Sequence, residues 1–304
     1  MSASRPDEHY ALVALLRALP KGVRWNTVTD RVLECGSVVE VLAEAEVDAL
    51  IPRPERAHAL ADAARDVQQW RSEGWRFVSV LDEEYPSQLR DVHQAPPFLF
   101  ASGRLVSDDA AIAVVGSRKA SRRSLEITTA IATDLAGEGI TVLSGLADGV
   151  DAAAHRAALD AGGRTVAVIG TGIARSYPAV NRDLQRRIAT DGLVLSQFWP
   201  DAPPQRHNFL MRNAVMSGYG RATVVVQAGE QSGARAQARM AVGHGRPVIL
   251  TDQVADTEWG ARLRDRPGAH VASGLAEVME HVRTALARES EVDALLRQLE
   301  GSTL

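Results

Sequence analysis

The apolar positions of this chain gather into short, β-branched runs, and each run breaks into small residues before a helix-length segment begins. The runs fall at 111–115, 141–143, 165–169, 193–195, 222–227 and 247–250. Between them, 121–137, 151–161, 180–190, 208–217 and 233–243 carry the three-to-four-residue apolar spacing of amphipathic helices. Near-continuous apolar strands alternating with helices predict a doubly wound, mostly parallel α/β sheet, Rossmann-like in class, with helices on both faces. In such a sheet the turns Gly116-Ser117-Arg118-Lys119, Ser144-Gly145, Gly170-Thr171-Gly172 and Ser232-Gly233 all lie at the carboxyl edge, where ligands bind. Helix N-termini point at the same edge with free N–H groups and partial positive charge. A phosphate-bearing ligand suits that arrangement.

Upstream the pattern is different. A helix over 10–19 and helices at 25–34 and 38–44, joined by Pro20-Lys21-Gly22 and Gly36, predict a small all-α module of the helix-hairpin-helix or SAM-like kind. Pro52 and Pro54 mark a linker, a long helix follows over 55–73, and 74–80 reads as a strand. The Tyr85-Pro86 and Pro96-Pro97 block that ends at Gly103 prepares an edge of the main sheet. Val271 adds a further edge strand, and a helix over 274–288 closes the fold. The expected division is 1–54 helical domain, 55–109 linker helix and edge segment, 110–288 Rossmann-like domain and 289–304 polar tail. Asp151 is expected to cap the helix that follows Gly149, and His155 to make a buried hydrogen bond.

Composition narrows the chemistry. The chain has 304 residues, enough for a large α/β domain and a small one, with 45% apolar residues to fill a core. Its apolar runs fall short of the roughly 20 residues of a membrane span, and the N-terminus has no signal-peptide pattern, so a cytoplasmic protein with no membrane association is expected. A single cysteine, Cys35, excludes an internal disulfide and a cysteine-based metal site. The net charge is −4, yet residues 160–250 hold eleven arginines against five acidic residues. A local basic field in an acidic protein can hold a polyanion, although an arginine-biased composition would produce the same count.

Several motifs stand in a fixed order. They are Gly116-Ser117-Arg118; Ser144-Gly145-Leu146-Ala147 with Gly149-Val150-Asp151 and His155; Gly170-Thr171-Gly172 with Tyr177-Pro178 and Asn181; and Phe209 with Arg212-Asn213, then Ser232-Gly233. In that order the chain resembles the DNA-processing protein A family, also called Smf, over nearly residues 10–285. The resemblance implies a non-catalytic protein without cofactor or metal. It implies a homodimer that binds single-stranded DNA on its Rossmann-like domain and hands the strand to the RecA recombinase. Carried onto this sequence, the phosphate cradle comprises Gly116, Ser117, Arg118, Lys119, Ser144, Gly145, Gly170, Gly172, Asn181, Arg212, Asn213, Ser232, Gly233 and Arg235. Tyr177 and Phe209 are the residues that can stack a base. In this reading Arg118 grips a phosphate bidentately, and the glycines let backbone N–H groups approach phosphate oxygens.

The chain also departs from the family pattern. Asp148 stands where a basic residue is usual, Ala214 replaces an arginine, Gln227 replaces a glutamate, and Ala234-Arg235-Ala236-Gln237-Ala238 replaces an apolar stretch. The family's winged-helix domain is not expected here. Losing bases at 148 and 214 weakens phosphate binding, which Arg235 and Arg239 partly restore, and a role outside natural transformation, such as phage defence, stays open. Two further functions remain open as well. One is a sensor that binds a small nucleotide signal in the same cradle. The other is a nucleoside-monophosphate phosphoribohydrolase, whose glutamate would have to be Glu230, just before the Ser-Gly turn. Sequences typical of ATPases, acyl transfer and metal hydrolysis are not found.

Overall fold

The structure, a computed structural model, describes residues 6–20, 22–44 and 51–301. Three helices open the chain: α1 (Pro6–Ala18), α2 (Trp25–Cys35) and α3 (Val38–Ala43). Gly36 ends α2 in the left-handed region (φ 73°), the usual glycine stop. Ser37 caps α3, and the buried Glu8 on α1 accepts from the Ser37 hydroxyl (2.8 Å) and from the Val38 and Val39 N–H groups. A carboxylate at a helix N-terminus is favoured by both hydrogen bonding and the helix dipole. The predicted helical module is therefore present, with α1 beginning four residues earlier than the apolar spacing suggests. Lys21, the base of its turn, lies outside the described residues.

The long helix α4 (Arg53–Ser72) leads into β1 (Arg76–Ser79), the short α5 (Ser87–Arg90) and β2 (Phe98–Gly103). The predicted parallel core follows: β3 (Ala111–Gly116), α6 (Arg122–Gly137), β4 (Thr141–Ser144), α7 (Val150–Asp160), β5 (Thr165–Val168), α8 (Arg182–Asp191), β6 (Leu193–Ser196), α9 (Arg206–Tyr219), β7 (Ala222–Gln227), α10 (Gly233–Gly243) and β8 (Val248–Thr251). Two short helices, α11 (Asp252–Ala255) and α12 (Glu258–Arg264), precede the expected edge strand β9 (Ala269–Ala272). The helix α13 (Leu275–Gly301) closes the chain and runs through the segment expected to be a separate tail. Asp151 is not the cap of α7. Gly149, at φ 76°, takes that position, and Asp151 sits in the first turn.

One nine-stranded sheet results, in the order β1-β2-β6-β5-β4-β3-β7-β8-β9. The β1–β2 and β2–β6 pairs are antiparallel and the rest are parallel. The chain builds outward from β3 through β4, β5 and β6, then returns to lay β7 on the other side of β3. That reversal makes the β3/β7 boundary the topological switch point, where the loops leaving adjacent strands diverge and open a crevice. The β3–β7 register also shifts between Val115 and Gly116, so the two strand ends separate there.

The expected domain boundary at residue 54 is not a break in the core. A cluster of aromatic rings, Trp25, Trp70, Phe77, Phe98, Phe100 and Trp199, packs α2 and α4 onto the antiparallel edge, with Phe98–Trp199 (4.9 Å) and Phe77–Phe98 (5.1 Å) stacked. The same buried apolar cluster runs from Leu12 through Phe98 to Leu250. At the amino edge of the sheet, buried Asp109 accepts from Thr141 (2.6 Å), Tyr219 (2.8 Å) and Arg164 Nε (3.1 Å). Asp109 therefore gathers β4, α9 and the strand approaching β5. Removing it strands a half-buried arginine and two hydroxyl groups, so Asp109→Ala is expected to destabilise the protein by about 3 kcal/mol, read as a lower urea midpoint with an unchanged slope.

Candidate functional site

The crevice at the switch point is a cleft of about 440 Å³ lined by the β3 turn (Gly116 to Lys119), Asp151, Phe209, Arg212, Asn213 and Gln231 to Ala234. A smaller pocket of about 120 Å³ adjoins it, shares Arg118, Ala147, Phe209 and Arg212, and adds Gly145, Asp148, Gly170, Tyr177 and Pro178. The structure thus brings the predicted turns together at one edge. It divides the predicted site residues into a group that faces the cleft and a group that holds the first in place.

Arg118 and Lys119 belong to the first group. Both are exposed, and among the described residues neither side chain has an acidic partner. The Arg118 guanidinium lies 5.5 Å from the centroid of the Phe209 ring, a cation–π placement that aims it across the cleft. Tyr177 is 41% exposed and leans on the same ring at 5.7 Å. Ser232 caps α10 by accepting from the Arg235 N–H (3.2 Å), and Gly233 begins that helix exposed to solvent. The α6, α7 and α10 N-termini all converge on this edge, as the topology requires.

Arg212 belongs to the second group, contrary to expectation. It is 5% exposed, donates to the Val168 carbonyl (3.3 Å), lies against Met216 and leaves its Nε without a partner. Burial pulls its pKa down, and the carboxylate of Asp151 opposes that pull. Burial likewise raises the Asp151 carboxyl, against Arg212 and the Ala147 and Gly145 N–H groups. Both groups are buried and each favours the charged form of the other, and the Arg212 guanidinium forms a wall of the cleft.

The glycines need a corrected explanation too. A Cβ at Gly145 would overlap the Arg212 guanidinium, and one at Gly170 would sit 2.6 Å from the Phe209 ring. At Gly116 it would meet Val150 (2.5 Å), and at Gly172 it would overlap the Pro200 and Trp199 carbonyls. The Gly172 N–H is already used on Ala202 (2.9 Å). At each of these positions protein atoms fill the space a Cβ would take, which is a packing reason for glycine.

Ser144, Asn181 and Asn213 are also turned inward. The Ser144 hydroxyl donates to the Val114 carbonyl (2.7 Å), locking β4 to β3. Asn181 donates to the Leu146 carbonyl (3.0 Å) and accepts from Arg156 (3.3 Å). Leu146 is a non-glycine residue at φ 59°, and this hydrogen bond helps hold that uncommon turn. Asn213 donates to the Gly233 carbonyl (3.2 Å), fixing α9 to the start of α10. Arg235 is committed to Glu230, reaching its carbonyl at 2.7 Å and its carboxylate at 3.4 Å. Gln227 was overlooked as a structural residue. Its side-chain oxygen accepts from the Ser121 N–H (2.9 Å) and ties the end of β7 to the start of α6.

The sequence profile described as DNA recombination-mediator protein A matches residues 76–283. The chain belongs to that family. It is 40% identical over 172 residues to DNA processing protein DprA of Streptococcus pneumoniae, covering 56% of this chain and 61% of the relative. It is 30% identical over 214 residues to DNA processing protein DprA of Bacillus subtilis, covering 70% and 72%. The crystal structure of DNA processing protein A from S. pneumoniae superposes with a TM-score of 0.71 at 29% identity, over 92% of this chain and 98% of that one. A Helicobacter pylori DNA processing protein A, whose structure was described for its single-stranded DNA binding mode, superposes with a TM-score of 0.61 at 24% identity, over 70% and 96%. The family thus shares the Rossmann-like sheet, and the matched span includes every site residue discussed above.

His155 supplies a pH test of the supporting layer. Its Nδ1 donates to Thr165 (2.7 Å), because the Thr165 proton is given to the Val142 carbonyl (2.7 Å), which leaves Nε2 bare in the core. Burial, with Arg212 and Arg156 nearby, depresses its pKa to about 3. The unfolded chain, with a histidine near 6.5, then binds the proton first. This stability is complete above pH 6.5 and is lost towards pH 3, by at most about 1.4 kcal/mol per pH unit. His155→Gln should flatten the acid limb of a stability–pH curve measured by urea unfolding.

Proposed function

We propose that this protein binds single-stranded DNA along the carboxyl edge of its sheet and carries out no covalent reaction on it. The observation that carries the reading is the exposed, acid-free pair Arg118 and Lys119 at the switch point, set above a ring pair that can stack a base. Ser117, the N-terminus of α10 at Ser232-Gly233, Tyr177 and Phe209 complete the contact surface. Arg212, Asn213, Asn181 and the glycines support it from beneath. The single-stranded DNA binding described for the H. pylori relative is consistent with this reading.

The same family membership supports action as a recombination mediator: a homodimer that passes the strand to a RecA-type recombinase. The chain covers 61% of the length of the pneumococcal relative, so these assembly steps are proposals in their own right. The phosphoribohydrolase alternative is disfavoured by Glu230. Its carboxylate accepts from Arg235 (3.4 Å) and the Trp259 N–H (3.3 Å), and it does not line the cleft.

Binding of fluorescent oligonucleotides at several salt concentrations tests the proposal. Single strands should bind more tightly than duplex, because the cleft presents no helix shaped to read a major groove. Arg118→Ala should weaken single-strand binding about tenfold, the worth of one charge-assisted phosphate contact, with the fold unchanged because the side chain is exposed. The salt slope should fall by about 0.7, and Arg118→Lys should recover part of the loss. Parental affinity and slope in Arg118→Ala would remove the cradle assignment. Saturable binding of a mononucleotide with no strand binding would favour the nucleotide sensor, and release of free base from AMP would favour the enzyme.

A further inference from the structure

A second cleft, of about 650 Å³, lies between the N-terminal helical module and α9. Its apolar lining is led by the half-buried Trp25 ring and by Met211, which is 40% exposed, over the buried Pro96, Pro97 and Phe198. Polar groups are interspersed: Asn26, Gln94, Asn208 and Gln197. Gln197 is only 4% exposed, and its amide nitrogen has no hydrogen-bond partner. A buried amide donor left unpaired costs free energy, and a site of this kind is completed by an acceptor from outside. The charged and titratable residues in the lining are Arg24, His93 and His207, with no carboxylate among the described lining residues. Arg24 is exposed, and among the described residues its side chain has no acidic partner.

The helix α9 separates this cleft from the switch-point cradle. Phe209, Arg212, Asn213 and Met216 follow the i, i+3, i+4, i+7 spacing and line the cradle. His207, Met211 and Ala214 follow i, i+4, i+7 on the other side and line the second cleft. Arg206 and Leu210 form the exposed ridge between them; Leu210 is 51% exposed and Arg206 opens the helix. A helix is about 10 Å across, a distance that a few nucleotides of single strand can cover.

Building on the single-strand reading above, we propose that the cleft between α2 and α9 is a nucleobase-binding site, which takes an unstacked base of the same strand after it crosses the Arg206–Leu210 ridge. Trp25 and Met211 stack the base, the Gln197 amide donates to one of its carbonyl or ring-nitrogen acceptors, and Arg24 takes an adjoining phosphate. The N-terminal module thereby extends the site size beyond the switch point. Bases stacked on apolar and aromatic side chains accept any sequence, so no sequence preference is added.

The test compares two oligothymidylates on the full chain, one of about 6 nucleotides, which fills the cradle alone, and one of about 20, which spans both clefts. Met211→Glu and Arg24→Glu change exposed side chains and leave the core intact. Each should weaken the longer strand by about fivefold or more while leaving the shorter one at parental affinity. Photocrosslinking with a 5-iodouracil oligonucleotide should label the peptides bearing Trp25 or Met211, and the label should be lost in Met211→Glu. Equal affinities of parent and both variants for the longer strand, or crosslinks confined to the Phe209 and Tyr177 segment, would overturn the proposal while leaving the cradle in place. Loss of the crosslink to thymidine monophosphate, with strand affinity unchanged, would assign the cleft to a free nucleotide and overturn the strand path. If the parent failed to bind either oligonucleotide, the single-strand reading itself would fall.

Discussion

The site is built around one buried guanidinium. Arg212 lies where a side chain on Gly145 would otherwise be, has its charge favoured by the Asp151 carboxylate at the start of α7 and donates to the last residue of β5. Enclosing an arginine in this way carries a desolvation cost that the Asp151 carboxylate and the Val168 carbonyl only partly offset. The return is positional. Arg212 fixes α9 over the ends of β4 and β5, and α9 in turn presents Phe209, whose ring fills the space left by Gly170 and supports both Arg118 and Tyr177. The exposed groups of the cradle therefore stand on a layer whose shape is set by where the guanidinium can fit.

Much of the fold was legible in the sequence because its signals are local. The six strands predicted from β3 to β8 are short apolar runs rich in Val and Ile, and each predicted span lies within about one residue of its observed bounds. Gly36 marks a helix end in the sequence for the same reason. The site was legible only as a set of positions. Glycine, arginine and asparagine at a strand end look the same in a sequence whether they touch a ligand or a neighbouring side chain. The direction of Arg212, Asn181 and Asn213 is decided by tertiary neighbours such as Asp151, Leu146 and Gly233, which no periodicity reveals. Asp151 shows the same limit on a smaller scale: Gly149, at φ 76°, holds the cap position, and Asp151 in the first turn accepts from the Ala147 N–H (3.4 Å).

The N-terminal module was recognised as helices, but its relation to the sheet was not. The connection is made by aromatic residues scattered over Trp25, Trp70, Phe98 and Trp199, too far apart in sequence to form a pattern. Once packed, they continue the core across the expected boundary. The module is thereby packed onto β2 and onto Trp199 just after β6. A cleft between two such bodies keeps its shape, which is the condition for recognising a flat ligand at little cost in ordering.

Charge is where counting residues and placing them diverge most. The eleven arginines of residues 160–250 suggest a broad basic field, yet at least five are locally paired: Arg164 with Asp109, Arg186 with Asp183, Arg187 with Asp160, Arg221 with Asp108 and Arg235 with Glu230. Arg212 is buried against Asp151. Among the described residues the exposed cations lining the switch-point cleft are Arg118 and Lys119, and both lie outside the stretch that the count singled out. An anionic strand at this edge meets a few well-placed charges above stacking rings and helix N-termini. Its grip then depends on the geometry of that edge, and the net charge of −4 is no obstacle to it.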